Sequence, residues 1–187
     1  MKMMSLLVGA CLLVVGLWLP GVLHAQDADP APPAVEADPM AVLQAYEGAW
    51  ACSGEWAWGA TMTGRNIYEP VFEGRHMRAR TYVSDNGGPE YLRYETLFSY
   101  DKAQGQYVYT TIAYDGSVET GVMTLRDDGF HIEAEQPDGQ GGTVKFRQFV
   151  ARVAGDAYAW RVQMQNPAGE WVTMMDDVWE RIEPADE

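Results

Sequence analysis

Residues 91–114, YLRYETLFSYDKAQGQYVYTTIAY, decide the fold. Along residues 91–100 bulky apolar side chains alternate with small or charged ones, which is the period of two that a β-strand shows. Residues 101–105, DKAQG, are typical of a tight turn, and residues 106–114 alternate again. The stretch predicts a β-hairpin whose first strand turns one face toward a core: Leu92, Tyr94, Thr96, Phe98 and Tyr100.

The same pattern continues on both sides of this hairpin. Alternating runs separated by turn signals rich in Gly, Asp and Asn extend from residue 49 to residue 182. No run after residue 48 has helical periodicity, which excludes a parallel α/β sheet. The sequence predicts about ten consecutive strands, at residues 49–58, 65–73, 75–83, 91–100, 106–114, 117–125, 130–135, 143–153, 157–165 and 170–182.

The two faces of the predicted strands differ in polarity, so one face is suited to a core and the other to water. A meander of such strands can close into a barrel, and closure removes exposed strand edges. We therefore predict an all-β, antiparallel up-and-down barrel of about ten strands; a two-sheet Greek-key sandwich is the alternative. One short helix precedes it, with Asp38 as its cap, Pro39 in its first turn and Gly48 at its end.

The first 25 residues have the composition of an export signal. Lys2 supplies the positive charge, residues 6–19 form a short apolar run, and Ala25 precedes the predicted cut. The alternative is a lipoprotein modified at Cys11. Residues 26–38, QDADPAPPAVEAD, predict an extended linker, and residues 39–187 the barrel domain. The predicted location is periplasmic or secreted, with no membrane span after signal removal.

Charge and cysteine content limit the class of protein further. The 187 residues include 13 Lys and Arg against 27 Asp and Glu, a formal charge of −14. Such a charge repels phosphate backbones, so we expect no nucleic-acid partner. Cys52 is the only cysteine after the predicted signal, which excludes an intrachain disulfide in the processed chain and favours a small buried apolar role for this residue.

Two short motifs carry a resemblance to a known family. Gly48-Ala49-Trp50 resembles the Gly-x-Trp start of lipocalin-like (calycin) barrels, and Trp179-Glu180-Arg181 resembles the segment whose basic residue lies across that tryptophan. Residues 69–75, 98–101 and 167–171 are similar in kind and order to a bacterial secreted lipocalin-like family of unknown function. The resemblance implies a barrel closed by Trp50 and Arg181, and a guanidinium over an indole contributes about 0.5–2 kcal/mol. It implies no catalytic residues.

Aromatic side chains on the predicted apolar faces are the candidate ligand-binding residues. They can line a cavity or fill it, and a barrel of about ten strands favours a cavity because it is wider than an eight-stranded one. The leading hypothesis is therefore a binder of a small hydrophobic or amphipathic molecule, with no cofactor and no metal. The candidates are Tyr94, Phe98, Tyr107, Tyr109, Phe130, Tyr158 and Trp160.

Two other classes of function remain open. Alternation places Asp177 on an inward face, where a carboxylate can serve a hydrolase or isomerase as acid or base or can pair with an inward polar side chain. A structural or partner-binding envelope protein is the other class. His76 and His131 fall on polar faces and are expected to be solvated. The basic cluster of Arg75, Arg78 and Arg80 fits a solvated strand face or an anionic ligand at the barrel mouth.

Overall fold

A computed structural model describes residues 38–137, 142–153 and 156–183. The predicted signal at 1–25 and all but the last residue of the predicted linker lie outside these ranges. The described residues contain no helix with the length and apolar character needed to cross a membrane.

The described residues form a closed barrel of ten antiparallel strands, which confirms the predicted fold class. Each strand pairs with the next one along the chain, and the first pairs with the last, so the Greek-key alternative is wrong. The strands are β1 Gly48–Glu55, β2 Thr61–Val71, β3 His76–Asp85, β4 Tyr91–Asp101, β5 Gln106–Ala113, β6 Val118–Arg126, β7 Gly129–Pro137, β8 Thr143–Val153, β9 Ala157–Gln165 and β10 Trp171–Ile182.

The predicted helix exists but is a single turn, α1 Ala41–Gln44. Asp38 is not its cap: the N-cap residue is Met40, whose backbone N–H donates a hydrogen bond of 2.8 Å to the Asp38 carboxylate. Gly48 does not end the helix. It is the first residue of β1 and has a φ of +119°, because the chain bends there from α1 into the barrel wall.

Two strand boundaries differ from the predictions by three or more residues, the end of β1 and the start of β2, and the face of Leu92 differs as well. Residues 56–58 belong to the turn between β1 and β2, and β2 begins at Thr61 rather than at residue 65. Where β3 pairs with β4, Thr81 lies opposite Tyr94 but the next residue, Tyr82, lies opposite Leu92. Strand β4 therefore contains a bulge, with one extra residue between Leu92 and Tyr94. Leu92 is consequently 38% exposed. The inserted residue reverses the alternation, which is why Leu92 does not share the inward face of Tyr94.

Helix α1 plugs one end of the barrel. Met40, Leu43 and Tyr46 are buried there, and the Tyr46 ring lies 5.6 Å from the ring of Tyr158, centroid to centroid. The Tyr107 hydroxyl donates a hydrogen bond of 2.5 Å to the Pro39 carbonyl and so ties β5 to the start of the plug. The main apolar core lies at this plugged end.

Trp50 and Arg181 meet beside the plug, where β1 and β10 close the barrel. The Arg181 guanidinium carbon lies 4.2 Å from the Trp50 ring centroid, and its Nη1 donates a hydrogen bond of 2.6 Å to the Glu47 carbonyl. The Trp50 indole N–H donates to the Tyr46 carbonyl at 2.7 Å. These contacts hold the end of the helix, the first strand and the last strand together.

Candidate functional site

A cavity of about 330 Å³ occupies the barrel between the plugged end and the opposite end. Residues of every strand from β2 to β10 line it, together with Trp56 and Trp58 from the β1–β2 turn. Small-molecule sites begin at about this volume.

The mouth of the cavity is at the end away from α1. Trp56 and Trp58 stack there with ring centroids 4.7 Å apart and planes 11° from parallel. Trp58 is 61% exposed although it lines the cavity, so the cavity reaches the surface at this point. Arg93, which the β4 bulge turns toward the mouth, lies 6.0 Å from the Trp56 ring centroid.

Six of the seven predicted ligand-binding side chains line this cavity. Tyr107 does not: its ring packs on Tyr100 with the centroids 5.0 Å apart, and its hydroxyl bonds to Pro39 at the plugged end. The prediction failed for Tyr107 because the position of the plug along the barrel is not visible in strand alternation. The six that line the cavity are Tyr94, Phe98, Tyr109, Phe130, Tyr158 and Trp160.

Glu119 and Tyr109 form the first polar group on the cavity wall. The Tyr109 hydroxyl donates a hydrogen bond to Oε1 of Glu119 on the neighbouring strand. Gly121 makes room for this pair, because a Cβ there would lie 2.9 Å from the Tyr109 ring. Burial raises the pKa of Glu119 above its usual range, and the bond from Tyr109 opposes this shift. Burial and the bond to Glu119 both raise the pKa of Tyr109.

Asn66 and Tyr158 form the second polar group. The amide Nδ2 of Asn66 donates to the Tyr158 hydroxyl at 2.9 Å across the barrel. Asn66 is only 8% exposed, and its Oδ1 is buried without a hydrogen-bond partner among the described residues. Burial also raises the pKa of the neighbouring Tyr68 to about 12, so this hydroxyl stays neutral. An unpartnered buried acceptor costs free energy, and this oxygen has almost no surface open to the cavity.

Two further hydrogen bonds hold polar side chains on the cavity wall. The Trp160 indole N–H donates to Oε1 of Gln148 at 3.0 Å. The hydroxyls of Thr96 and Thr111 are 2.9 Å apart on adjacent strands. The cavity is thus mainly aromatic and aliphatic, with a few fixed polar groups, which is the usual composition of a small-molecule site.

Asp177 lies inside the barrel wall but does not line the cavity. Its carboxylate packs against Gly54, where an added Cβ would collide with the Asp177 oxygens. Burial raises its pKa, with a smaller contribution from the charge of Asp176. Burial and Asp177 likewise raise the pKa of the Cys52 thiol to about 12, so this cysteine carries almost no reactive thiolate at neutral pH.

The histidines and the basic cluster lie on the outside of the barrel. Nδ1 of His76 is 2.6 Å from the Ser99 hydroxyl, and the His131 ring stacks on Phe149 at 4.8 Å rather than facing only water. Arg78 and Arg80 pair with Glu69, and Arg75 pairs with Glu73; the cluster lies at the plugged end and not at the mouth. No group of three His, Cys, Asp or Glu in the described part of the chain could hold a metal.

Glu119, Arg93 and Asn66 are polar cavity residues that the reasoning from sequence did not identify. Both faces of β6 carry apolar residues, so alternation does not tell that Glu119 faces inward. Arg93 stands between Leu92 and Tyr94, so simple alternation places it on the outer face, and the bulge that turns it inward has no sequence signal. Asn66 had a usable signal: it stands at a period of two from Tyr68 and Met62, both large apolar residues in the same strand.

The geometry defines a class of protein: a closed antiparallel barrel with one end plugged and a cavity open at the other. Within this class the chain belongs to the DUF1579 family, described as "Protein of unknown function (DUF1579)", whose model matches residues 36–181. No curated protein matches its sequence.

Solved structures with a similar outline include designed barrels. One is described as a de novo designed fluorescence-activating beta barrel, with 11% identity over 74% of this chain and 95% of that one, at a TM-score of 0.41. Another is a redesigned beta barrel, mFAP1, bound to DFHBI, with 13% identity over 75% of this chain and 98% of that one, at 0.40. Likeness at this level gives no information about function.

Proposed function

We propose that this chain is an exported, lipocalin-like protein that binds a small hydrophobic or amphipathic molecule in its barrel. The observation that carries the proposal is the cavity of about 330 Å³ with an aromatic wall and a mouth at Trp58. The enzyme alternative depended on Asp177, and this carboxylate does not line the cavity. We therefore favour binding without chemistry.

The cavity can hold a ligand because neighbouring rings hold the side chains of its wall in place. Its deep side is closed by Tyr68, Phe98 and Tyr158, which also contact one another: the Tyr68 and Phe98 ring centroids are 6.5 Å apart, and those of Tyr68 and Tyr158 are 6.3 Å apart. Rings held in place by neighbours lose little conformational freedom when a ligand arrives. Binding therefore buries the apolar surface of a ligand and loses little conformational entropy in the side chains of the wall.

A cavity-filling substitution tests the proposal. Thr111→Phe places a ring inside the cavity, and Thr110→Phe places the same ring on the outer face of the same strand. We expect Thr111→Phe to weaken binding of the neutral dye N-phenyl-1-naphthylamine at least about tenfold, or about 1.4 kcal/mol, because the ring takes the ligand's space. Binding is read from the rise in dye fluorescence and from quenching of tryptophan fluorescence.

Thr110→Phe should bind the dye as the unmodified chain does. Thermal unfolding of both variants checks that each remains folded. Equal affinities for all three proteins, or no saturable binding to the unmodified chain, would refute a ligand site inside the barrel.

The export part of the proposal is tested by expression of the full chain in a bacterial host. We expect the protein in the periplasmic fraction or the medium, with an intact mass that begins at Gln26, because residues 1–25 have the composition of a cleaved signal. A chain lacking residues 1–25 is the control and should stay in the cytoplasm. An uncleaved cytoplasmic product would contradict export, and a lipid-modified mass beginning at Cys11 would instead support the lipoprotein alternative.

A further inference from the structure

We propose that the ligand carries an amine or another cationic hydrogen-bond donor on an aromatic or aliphatic body, and that Glu119 is the residue that selects it. This inference rests on the proposed function, because it specifies the chemistry of the molecule in the same cavity.

The charge balance of the cavity wall is the first argument. Only two of its described lining residues are charged, Arg93 at the mouth and Glu119. Arg93 is already neutralised, since its Nη1 lies 3.2 Å from Oδ2 of Asp85. Glu119 accepts a hydrogen bond from Tyr109 but forms no ion pair with a described basic residue. A bound cation would supply the missing partner, whereas a bound carboxylate would bring a second negative charge beside it.

The partial burial of Glu119 is the second argument. Removal from water makes the ionised carboxylate unfavourable, which agrees with the raised pKa of this group. A cation in contact with the carboxylate stabilises its ionised form and offsets that cost. The same burial weakens the competition from water for the ligand's charge.

The rest of the wall is also suited to a cation. Aromatic rings surround the space, and the negative faces of such rings attract cations.

Three matched probes test the selectivity: 3-phenylpropylamine, 3-phenylpropan-1-ol and 3-phenylpropanoate. They share one body and differ in charge. At pH 7 we expect the amine to bind the unmodified chain at least about tenfold more tightly than the alcohol, and the carboxylate to bind most weakly. Displacement of N-phenyl-1-naphthylamine and titration calorimetry both report these affinities.

Glu119→Gln keeps the shape of the side chain and removes its charge. In this variant the amine should bind no more tightly than the alcohol. Asp177→Asn is the matched control, because it neutralises another buried carboxylate of the barrel that does not line the cavity. The amine preference should survive in Asp177→Asn.

The outcomes separate this inference from the function on which it rests. If the dye and the alcohol bind but the amine has no advantage in the unmodified chain, the cationic ligand is refuted and the binding function stands. If Asp177→Asn removes the preference as completely as Glu119→Gln does, selection by Glu119 is wrong. If neither the dye nor any probe binds, both proposals fail. The comparison among probes needs no variant, so a variant that does not fold leaves the test intact.

Discussion

Replacing Gly48 by alanine is expected to lower the free energy of unfolding by about 3 kcal/mol. Two costs add at this position. The φ of +119° lies in a region that residues with a Cβ avoid. In addition, the new Cβ would collide with Nη1 of Arg181, the guanidinium that packs over Trp50 and bonds to Glu47. The methyl group would displace the contact that closes the barrel. Urea denaturation followed by tryptophan fluorescence measures the effect.

A control and a double variant separate the two costs. Gly116 also has a positive φ, of +84°, but a Cβ there would meet nothing within 4 Å. Gly116→Ala should therefore cost only the backbone strain, about 1 kcal/mol. In Gly48→Ala with Arg181→Ala the steric conflict disappears, so the double variant should be less destabilised than the sum of the two single ones. Additive effects would show that Arg181 is not what requires a glycine at residue 48.

Trp179→Ala is expected to be the most damaging single truncation, at about 4 kcal/mol. The Trp179 side chain is 2% exposed and its ring stacks on Tyr158 with the centroids 5.8 Å apart and the planes 7° from parallel. It also fills the space left by Gly64, where a Cβ would lie 2.6 Å from the ring. Truncation leaves a hole that the rigid strands cannot close, so both the burial and these contacts are lost.

Trp58→Ala is the matched control for this truncation. Trp58 is 61% exposed in the β1–β2 turn, so its loss should change the free energy of unfolding by less than about 0.5 kcal/mol. Denaturant titration of the two variants in parallel gives the comparison. Similar destabilisation by Trp58→Ala and Trp179→Ala would mean that the interior packing around Trp179 is not as described.

Local alternation was sufficient to predict the strands and most of their inward faces. Phe98, Tyr109 and Tyr158 were assigned to the interior from their spacing, and all three line the cavity. The assignment failed at Leu92 and Arg93 because a bulge inserts one residue and reverses the faces beyond it. A bulge depends on the fit between two strands, so one strand's sequence does not reveal it.

The residue that we propose selects the ligand was hidden for a related reason. In β6 the outward face carries Val118 and Val122, and the inward face carries Met123 and Leu125 beside Glu119. Because both faces of this strand carry apolar residues, its sequence does not show which face points into the barrel. Val118 and Val122 are exposed in the described barrel, so only the pairing of β6 with β5, which aligns Glu119 with Thr111, established the orientation of the carboxylate.

The sequence by itself determined that this chain forms consecutive antiparallel strands with one apolar and one solvent-exposed face, because side-chain direction in a strand follows from the period of the backbone alone. The tertiary structure decided that the barrel is hollow, that α1 plugs one end and excludes Tyr107 from the cavity, and that Glu119 rather than Asp177 faces the space. Those features depend on how ten strands close around a common axis and where the helix stops within them. These features arise from contacts between residues far apart in the chain, and the local periodicity of one strand carries no information about such contacts.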